Sequence, residues 1–129
     1  MALVINYRVK ETSTTSCTGN ITLAGIAAGQ GNVTFNSGIG TGITTYYCIF
    51  EQGTNTFEIG LGTFSGSTTL ERTTGINNSS GNTSKISFTG GTLDVFVTMP
   101  AAKTVYLDAS GTPVGAASAG FALAMAVAL

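Results

Sequence analysis

Two runs of alternating residues decide the fold: ITTYYCIFE at Ile43–Glu51 and TFEIGLGTF at Thr56–Phe64, joined by QGTN. The first run is rich in β-branched and aromatic residues, and Phe57, Ile59 and Leu61 share one face of the second. Successive side chains of a strand point to opposite faces, so a period of two is typical of β-strands. The stretch therefore predicts a hairpin whose turn lies in QGTN.

Similar short runs, separated by Gly, Asn and Ser, occur along the whole chain. The other predicted strands are Leu3–Lys10, Gly19–Gly25, Val33–Phe35, Thr68–Thr73, Ile86–Phe88, Leu93–Thr98 and Val105–Leu107. No segment has the 3.6-residue period of a helix. The chain is thus predicted to be a single all-β domain over residues 1–129, a β-sandwich or barrel of about nine to ten short antiparallel strands.

The final residues, GFALAMAVAL at Gly120–Leu129, carry no polar side chain. Large and small side chains alternate, which predicts a C-terminal apolar strand over residues 119–129. A membrane-spanning helix needs about 20 apolar residues, so a membrane span is not predicted. We expect a buried strand needed for folding or assembly, either in its own sheet or donated to a neighbour. Its candidate interaction residues are the large ones: Phe121, Leu123, Met125, Val127 and Leu129.

Charged residues make up 9% of the chain, where about 25% is typical. Such sparse charge indicates a protein that lies packed against copies of itself or other partners. A net charge of −1 leaves no basic stripe for nucleic-acid binding. The N-terminus MALVINYRVKE lacks the apolar core of a signal peptide, which indicates synthesis in the cytoplasm. The absence of histidine removes the usual general base and metal ligand, so we expect no enzyme activity, cofactor or metal.

Two glycine-rich stretches and one carboxylate pair are candidate chemical sites. Gly38–Gly42 and Gly60–Ser65 each lack part of a nucleotide-binding motif, so both are interpreted as turn or strand glycines. Glu51 and Glu58 flank the hairpin turn and could face each other as a pair for glycoside chemistry. Because no aromatic cleft accompanies them, two solvated carboxylates on an outer face is the favoured interpretation.

Other residues have simple structural interpretations. Glu71 and Arg72 point to opposite faces of their strand, and one of them could pair with a neighbouring strand. Tyr46 and Tyr47 likewise face opposite ways, so one can fill the core while the other meets solvent or a partner. Cys48 has no histidine to activate it, and a disulfide with Cys17 is possible although cytoplasmic thiols normally stay reduced.

Three blocks of the sequence together resemble a known family. They are VKETSTTSCTGNITLAG (Val9–Gly25), YYCIFEQGTNTFEIGLGTFSGSTTLERTT (Tyr46–Thr74) and ISFTGGTLDVFVTMPAAKTVYLD (Ile86–Asp108). In this order they resemble the small virion structural proteins of tailed bacteriophages, over more than half of the chain. The fibre-borne members continue past the segment VYLDASG into repetitive shafts, and this chain departs from them there.

The resemblance implies a virion protein that is assembled in the host cytoplasm. Head decoration or cement proteins of this kind are typically trimers that contact the major capsid protein and each other. A tail or fibre-attachment protein is the alternative within the family. A receptor- or glycan-binding module is a further alternative from another class, disfavoured because the loops NSGIGTG and NNSSGNTS hold no aromatic residue.

Overall fold

The computed structural model describes residues 2–115, which form a nearly closed six-stranded antiparallel barrel and a separate two-stranded sheet. The prediction of an all-β barrel of short antiparallel strands is thereby confirmed, and the described part of the chain contains eight strands. The elements, in chain order, are β1 Lys10–Ser13, β2 Ile21–Thr22, α1 Phe35–Gly38, β3 Ile43–Glu51, β4 Phe57–Ser65, β5 Thr69–Asn78, β6 Leu93–Val97, a 3₁₀ turn at Ala101–Lys103, β7 Tyr106–Leu107 and β8 Pro113–Val114.

The barrel strands follow the order β1-β6-β3-β4-β5-β2, so β1 and β2 are the two ends of the sheet. Hydrogen bonds between these ends nearly close the barrel. The Thr12 amide donates to the Gly25 carbonyl (2.9 Å), and the Ala24 amide donates to the Thr12 carbonyl (2.8 Å). The Ser13 hydroxyl adds a bond to the Thr22 carbonyl (2.6 Å). Most strand-edge groups at this seam are therefore paired, as buried backbone requires.

The predicted hairpin is confirmed as β3 and β4, with Tyr46 opposite Leu61 and Phe50 opposite Phe57. Its inner face is not the more apolar one. Phe57, Ile59 and Leu61 lie half-buried on the outer face of β4, while Glu58, Gly60, Gly62 and Phe64 are buried inside. A Cβ atom on Gly60 would lie 2.5 Å from the Tyr47 hydroxyl, so the glycine face has to line the crowded interior.

The hydrophobic core fills the barrel and the space under α1. The Phe35 and Phe64 rings lie 6.1 Å apart, a normal separation for an aromatic pair. Ile21 and Leu23, within the predicted strand Gly19–Gly25, are buried in this core. The other buried apolar residues are Val9, Ile39, Tyr47, Ile49, Leu70, Phe88, Leu93 and Val95.

The predicted first strand, Leu3–Lys10, is wrong, since β1 begins only at Lys10. Arg8 has φ of 59°, in the left-handed region, which interrupts the extended chain before β1. Its guanidinium donates to the carbonyls of Gln30 and Gly31 and so holds the loop there. Leu3 makes only an isolated bridge with Thr44. The alternation at the N-terminus therefore does not correspond to a buried strand face.

Two further short strands are also wrong. In place of Val33–Phe35 the chain forms α1, because the Thr34 side chain accepts from the Ser37 amide (3.1 Å) and caps a helical turn. The expectation of no helix is corrected by α1 and the 3₁₀ turn. In place of Ile86–Phe88 only an isolated bridge joins Phe88 to Cys17.

Later strands agree better with the sequence. Strand β5 extends to Asn78, past the predicted end at Thr73, and β6 and β7 lie within the predicted runs. Strand β8 was not predicted. It pairs with β7 through Tyr106 opposite Val114 and Leu107 opposite Pro113. The predicted C-terminal strand over residues 119–129 lies outside the described residues.

Candidate functional site

A buried ion pair connects the inner faces of β4 and β5. The Glu58 and Arg72 side chains are 1% and 0% exposed, and Arg72 Nη1 lies 2.8 Å from Glu58 Oε2. Gly60 and Gly62 lie on the same inner face of β4 as Glu58, and a Cβ atom on either would crowd Tyr47, at 2.5 Å from its hydroxyl and 3.0 Å from its ring. The expectation that Glu71 or Arg72 pairs with a neighbouring strand is confirmed for Arg72.

The remaining Arg72 donors hold two crossing segments of the chain against the barrel. Nε donates to the Gly19 carbonyl (2.9 Å), and Nη2 donates to the Cys17 carbonyl (3.1 Å). Nη1 also donates to the Ile86 carbonyl (2.9 Å), and the guanidinium lies 5.7 Å from the centre of the Phe88 ring. The planar guanidinium thus joins the segments around residues 17–19 and 86–88.

Glu58 accepts from both sides. The Tyr47 hydroxyl donates to Oε1 (2.7 Å), and the Ile86 amide donates to Oε2 (2.7 Å). Burial, and then the charge of Glu58, raise the pKa of Tyr47 well above its usual value. Tyr47 therefore remains a hydrogen-bond donor at any physiological pH. Tyr47 fills the core while Tyr46 lies half-buried on the outer face, as predicted.

Two other glutamates act on loops in the same way. Glu11 is buried and accepts from the Phe35 amide (2.8 Å), at the start of α1. Glu51 is buried at the end of β3 and accepts from the Thr89 hydroxyl (2.5 Å) and amide (3.2 Å). These bonds, that of the Thr89 hydroxyl above all, lower the pKa of Glu51.

The favoured interpretation of Glu51 and Glu58, two solvated carboxylates on an outer face, is therefore wrong. Both are buried, and both accept hydrogen bonds from the connection between β5 and β6, Glu58 from the Ile86 amide and Glu51 from Thr89. Across residues 2–115, no buried side-chain nitrogen or oxygen lacks a hydrogen-bond partner. The interior polar groups are thus committed to each other and to the loops, which is the chemistry of a scaffold that fixes its connections.

Sequence reasoning missed this network because it assigned strand faces by hydrophobicity. One signal was available: Glu58, Gly60 and Gly62 occupy alternate positions of β4, so one face carries a carboxylate beside two missing side chains. Such a face leaves room for a large side chain from a neighbouring strand, and a carboxylate buried there needs polar partners. Tyr47 occupies the space at both glycines, and Tyr47 and Arg72 are the partners of Glu58.

Burial of these groups leaves the surface with little charge. Four of the eleven charged side chains are buried: Glu11, Glu51, Glu58 and Arg72. Seven remain to cover the outside of the molecule. Lys10 and Asp94 form a partly exposed ion pair (3.5 Å), which further reduces the free surface charge.

Large apolar side chains are exposed on the two-stranded sheet formed by β7 and β8. Val105, Tyr106 and Leu107 are 62%, 50% and 66% exposed, and Val114 is 36% exposed. We call residues 105–114 the apolar hairpin. Its apolar side chains lie on a surface that has few charged groups to keep the protein soluble.

The N-terminal segment adds a second exposed apolar region. Leu3, Ile5 and Tyr7 all have more than 40% of their surface exposed, and Tyr7 has 89% exposed. The segment is attached to the barrel through the Val4 amide, which donates to the Thr44 carbonyl (3.0 Å). Like the apolar hairpin, it places hydrophobic side chains where a partner could bury them.

A groove lies on the outer face of the barrel, over β3, β4 and β5. We call it the outer groove. Tyr46, Ile59, Leu61 and Ile76 line it on the sheet side, and Pro100–Lys103 form the opposite wall. It comprises two adjoining cavities of about 280 and 290 Å³ that share Ile76 and Ala102. Its lining is mostly apolar.

The two cysteines do not form a disulfide. Cys17 and Cys48 are both free thiols, and burial raises the pKa of Cys48 to about 11.

Within residues 2–115 no group of three or more His, Cys, Asp or Glu side chains could hold a metal ion. In that same range, no helix has the length and apolar character needed to cross a bilayer. The predicted interaction residues lie outside the described residues: Phe121, Leu123, Met125, Val127 and Leu129.

Comparison with protein-family models, with curated proteins and with solved structures finds no match to the chain. The resemblance to phage virion proteins therefore stays a prediction from the three sequence blocks.

Proposed function

We propose that the chain is a structural protein of a tailed-bacteriophage virion, a head decoration or cement protein. In this proposal it binds the major capsid protein and other copies of itself, as a trimer, and strengthens the capsid lattice. The three sequence blocks support the family. The observation that carries an assembly function is the exposure of the apolar hairpin.

Two-stranded sheets are marginally stable in water unless they pack against something else. In the apolar hairpin all four residues of β7 and β8 are exposed, including Tyr106 and Leu107. Burying a side chain such as leucine contributes about 1.5–3 kcal/mol. A lattice partner that covers the apolar hairpin would supply this free energy and would hold its two strands in place.

The sparse surface charge supports the same proposal. Seven charged side chains lie outside the core, and two of them, Lys10 and Asp94, pair with each other. A protein that is free in solution usually needs more charge to avoid association. A subunit of a capsid lattice instead has to associate with its neighbours, and a low surface charge favours that association.

A cement protein acts by mass action. Because it binds only the assembled shell, each bound copy lowers the free energy of that shell relative to its dissociated subunits. Rigid connections suit this function, and the loops fixed by Glu11, Glu51 and Glu58 hold the barrel's crossing segments in one arrangement.

The test is labelling of intact particles of the phage that encodes the chain, with a gold-conjugated antibody raised against the purified protein. We expect label spread over the head. Label restricted to the tail or its tip would overturn the cement proposal in favour of tail or host attachment, and absence of label from the particle would overturn the virion assignment. Particles that lack the protein provide the control for antibody specificity.

A second measurement tests the stabilising role directly. Particles that lack the protein should release their DNA at a lower temperature than complete particles, and added purified protein should restore the higher temperature. Equal release temperatures would contradict a cementing function.

A further inference from the structure

The outer groove has a floor and a wall that are both fixed by backbone contacts. On the floor, Tyr46 lies directly opposite Leu61 in the β3–β4 register. In the wall, the Pro100 carbonyl accepts from the Lys103 amide (2.9 Å) and from the Thr104 hydroxyl (3.1 Å). The outer face of an antiparallel sheet is normally polar where it meets water. A preformed, mostly apolar cleft in that place has the character of a small-molecule site.

The two cavities of the outer groove differ in polarity. The first, of about 280 Å³, is lined by three side chains that carry hydrogen-bond donors: Tyr46, Thr74 and Lys103. The second, of about 290 Å³, is lined by isoleucine, proline and alanine side chains and, within the described residues, by Asn77 as its one polar side chain. Together they fall within the range of about 300–1,000 Å³ that is typical of ligand pockets. A ligand that fits both cavities therefore has a polar end and an apolar end.

The charge of the outer groove selects the polar end of such a ligand. Of the described residues that line the groove, Lys103 alone is charged, and none is acidic. The ion pairs within residues 2–115 join Lys10 to Asp94 and Arg72 to Glu58, so no described acidic side chain neutralises the Lys103 ammonium. A carboxylate complements this ammonium, because hydrogen bonds between charged partners are stronger than neutral ones.

We propose that the outer groove binds an alkyl carboxylate such as a medium-chain fatty acid. The carboxylate lies at Lys103 in the first cavity, and the alkyl chain extends along Ile76 into the second cavity beside Ile59. Burial of the alkyl chain supplies most of the affinity, since each methylene group removed from water adds to it. Lys103 sets the preference for a negative head group. This inference does not depend on the virion function.

A peptide is disfavoured as the occupant because the outer groove offers few backbone partners. In the floor, Ile59 and Leu61 of β4 are each paired with β3 on one side and with β5 on the other. Where the β4–β5 register shifts after Leu61, the Thr73 hydroxyl donates to the Leu61 carbonyl (2.7 Å). A peptide laid on this floor would bury amide groups without partners, whereas an alkyl chain has no such groups.

The test is a titration of the full ¹⁵N-labelled chain with decanoate at neutral pH, followed by two-dimensional NMR. We expect saturable shifts of the amide resonances of Leu61, Ile76 and Ala102. The Kd should be on the order of 1 mM, the affinity that typical ligand efficiencies give for about a dozen non-hydrogen atoms. Decyltrimethylammonium, which has the same chain and the opposite charge, should bind more weakly. Acetate, which has the head group without the chain, should give no saturable shift.

Two lysine variants form a matched pair for the same titration. Lys103→Met keeps the aliphatic stem and removes the charge, so decanoate binding should weaken about three- to fivefold, as for loss of an exposed ion pair. Lys85→Met removes an exposed lysine outside the outer groove and should leave the Kd unchanged. Both positions are exposed, and the dispersion of the NMR spectrum verifies that each variant is folded.

Three results would overturn the proposal. Absence of a saturable shift with decanoate would show that the outer groove is not a ligand site. Shifts confined to another surface, such as the apolar hairpin, would place the binding elsewhere. Equal binding of decanoate and decyltrimethylammonium, or equal Kd values for Lys103→Met and Lys85→Met, would show that the groove does not select a carboxylate.

Discussion

Buried glutamates connect loops to the barrel at three separate residues. Glu11, Glu51 and Glu58 each accept at least one backbone amide from a segment far away in sequence. A carboxylate removed from water needs such donors, since an unpaired buried charge costs several kcal/mol. Among the three, loss of the partner should reduce stability most at Glu58, because that partner is the buried guanidinium of Arg72.

Arg72→Met should be severely destabilising. It leaves Glu58 buried without its cation and leaves the carbonyls of Cys17, Gly19 and Ile86 without a donor. We expect a loss of about 3–5 kcal/mol in the free energy of unfolding, measured by urea denaturation. Glu71→Gln, one position earlier on the half-exposed face, should change it by less than about 0.5 kcal/mol.

A double-mutant cycle separates charge from packing. Glu58→Gln keeps an oxygen acceptor but removes the charge, so Glu58→Gln combined with Arg72→Met should lose less stability than the sum of the two single variants. If the losses simply add, the buried charge is not the cause of the Arg72→Met defect.

Glu51 makes stability depend on pH. Its pKa in the folded protein lies below the ordinary 4.5, mainly because the Thr89 hydroxyl donates to the carboxylate. The stabilisation is therefore fully present above pH 4.5 and is lost as the pH falls through the lower folded value. Thr89→Val removes the hydroxyl donor, and the variant should lose less stability than the wild type over that acidic window.

The measurement is the difference in unfolding free energy between wild type and Thr89→Val at a series of pH values from 7 to about 2. This difference cancels the titration of the other carboxylates. It should shrink as the pH falls below 4.5. Thr92→Val, on the neighbouring exposed loop, should give a constant difference, and a constant difference for Thr89→Val would contradict the assignment.

At the scale of elements, the inner face of β4 depends on its missing side chains. A Cβ atom on Gly60 would lie 2.5 Å from the Tyr47 hydroxyl and 2.8 Å from the Thr74 carbonyl oxygen. Gly60→Ala should therefore reduce the unfolding free energy by about 1–3 kcal/mol, as overpacking typically does. Gly19→Ala, whose nearest neighbour is the Cys17 sulfur at 3.6 Å, should have a much smaller effect in the same urea experiment. Equal effects would show that the crowding around Tyr47 is not limiting.

Elements with a strong local signal could be predicted from the sequence. Strand β3 has the predicted bounds, and β4 and β6 lie within a residue or two of theirs, because β-branched and aromatic residues alternate over several positions. Elements whose position depends on single contacts could not be predicted from the sequence. The helix α1 depends on one Thr34 cap and on Glu11, and β1 begins where the left-handed Arg8 ends.

The buried network was only partly predictable for a related reason. Adjacent positions in a strand face opposite ways, so the division between Tyr46 and Tyr47, and the pairing of Arg72, follow from the period of two. Which face is inside does not follow from it. Hydrophobicity favours Ile59 and Leu61 over Glu58, and the structure reverses that order because Tyr47 occupies the space that Gly60 and Gly62 leave and Arg72 pairs with Glu58.

At the scale of the whole molecule, the same charges that stabilise the interior are missing from the surface. Seven charged side chains remain outside the core, while Tyr7, Val105 and Leu107 are each more than half exposed. An interior that holds three glutamates and an arginine, under a surface poor in charge, is the reverse of the usual distribution. It suits a protein whose outer surface is completed by neighbours in an assembly.

The apolar hairpin is the most direct test of that assembly. Tyr106→Ser combined with Leu107→Ser should weaken binding to phage particles that lack the protein by about 100-fold, since two apolar anchors are worth about 3 kcal/mol. Stability should change little, because both side chains are exposed in the free protein. Binding is measured by cosedimentation and stability by urea denaturation.

Ile26→Ser is the matched control and should bind normally. It removes an apolar side chain that is 47% exposed and lies outside the apolar hairpin. If the double variant binds as well as the control, the partner contacts another surface, and the N-terminal residues Leu3, Ile5 and Tyr7 become the next positions to substitute.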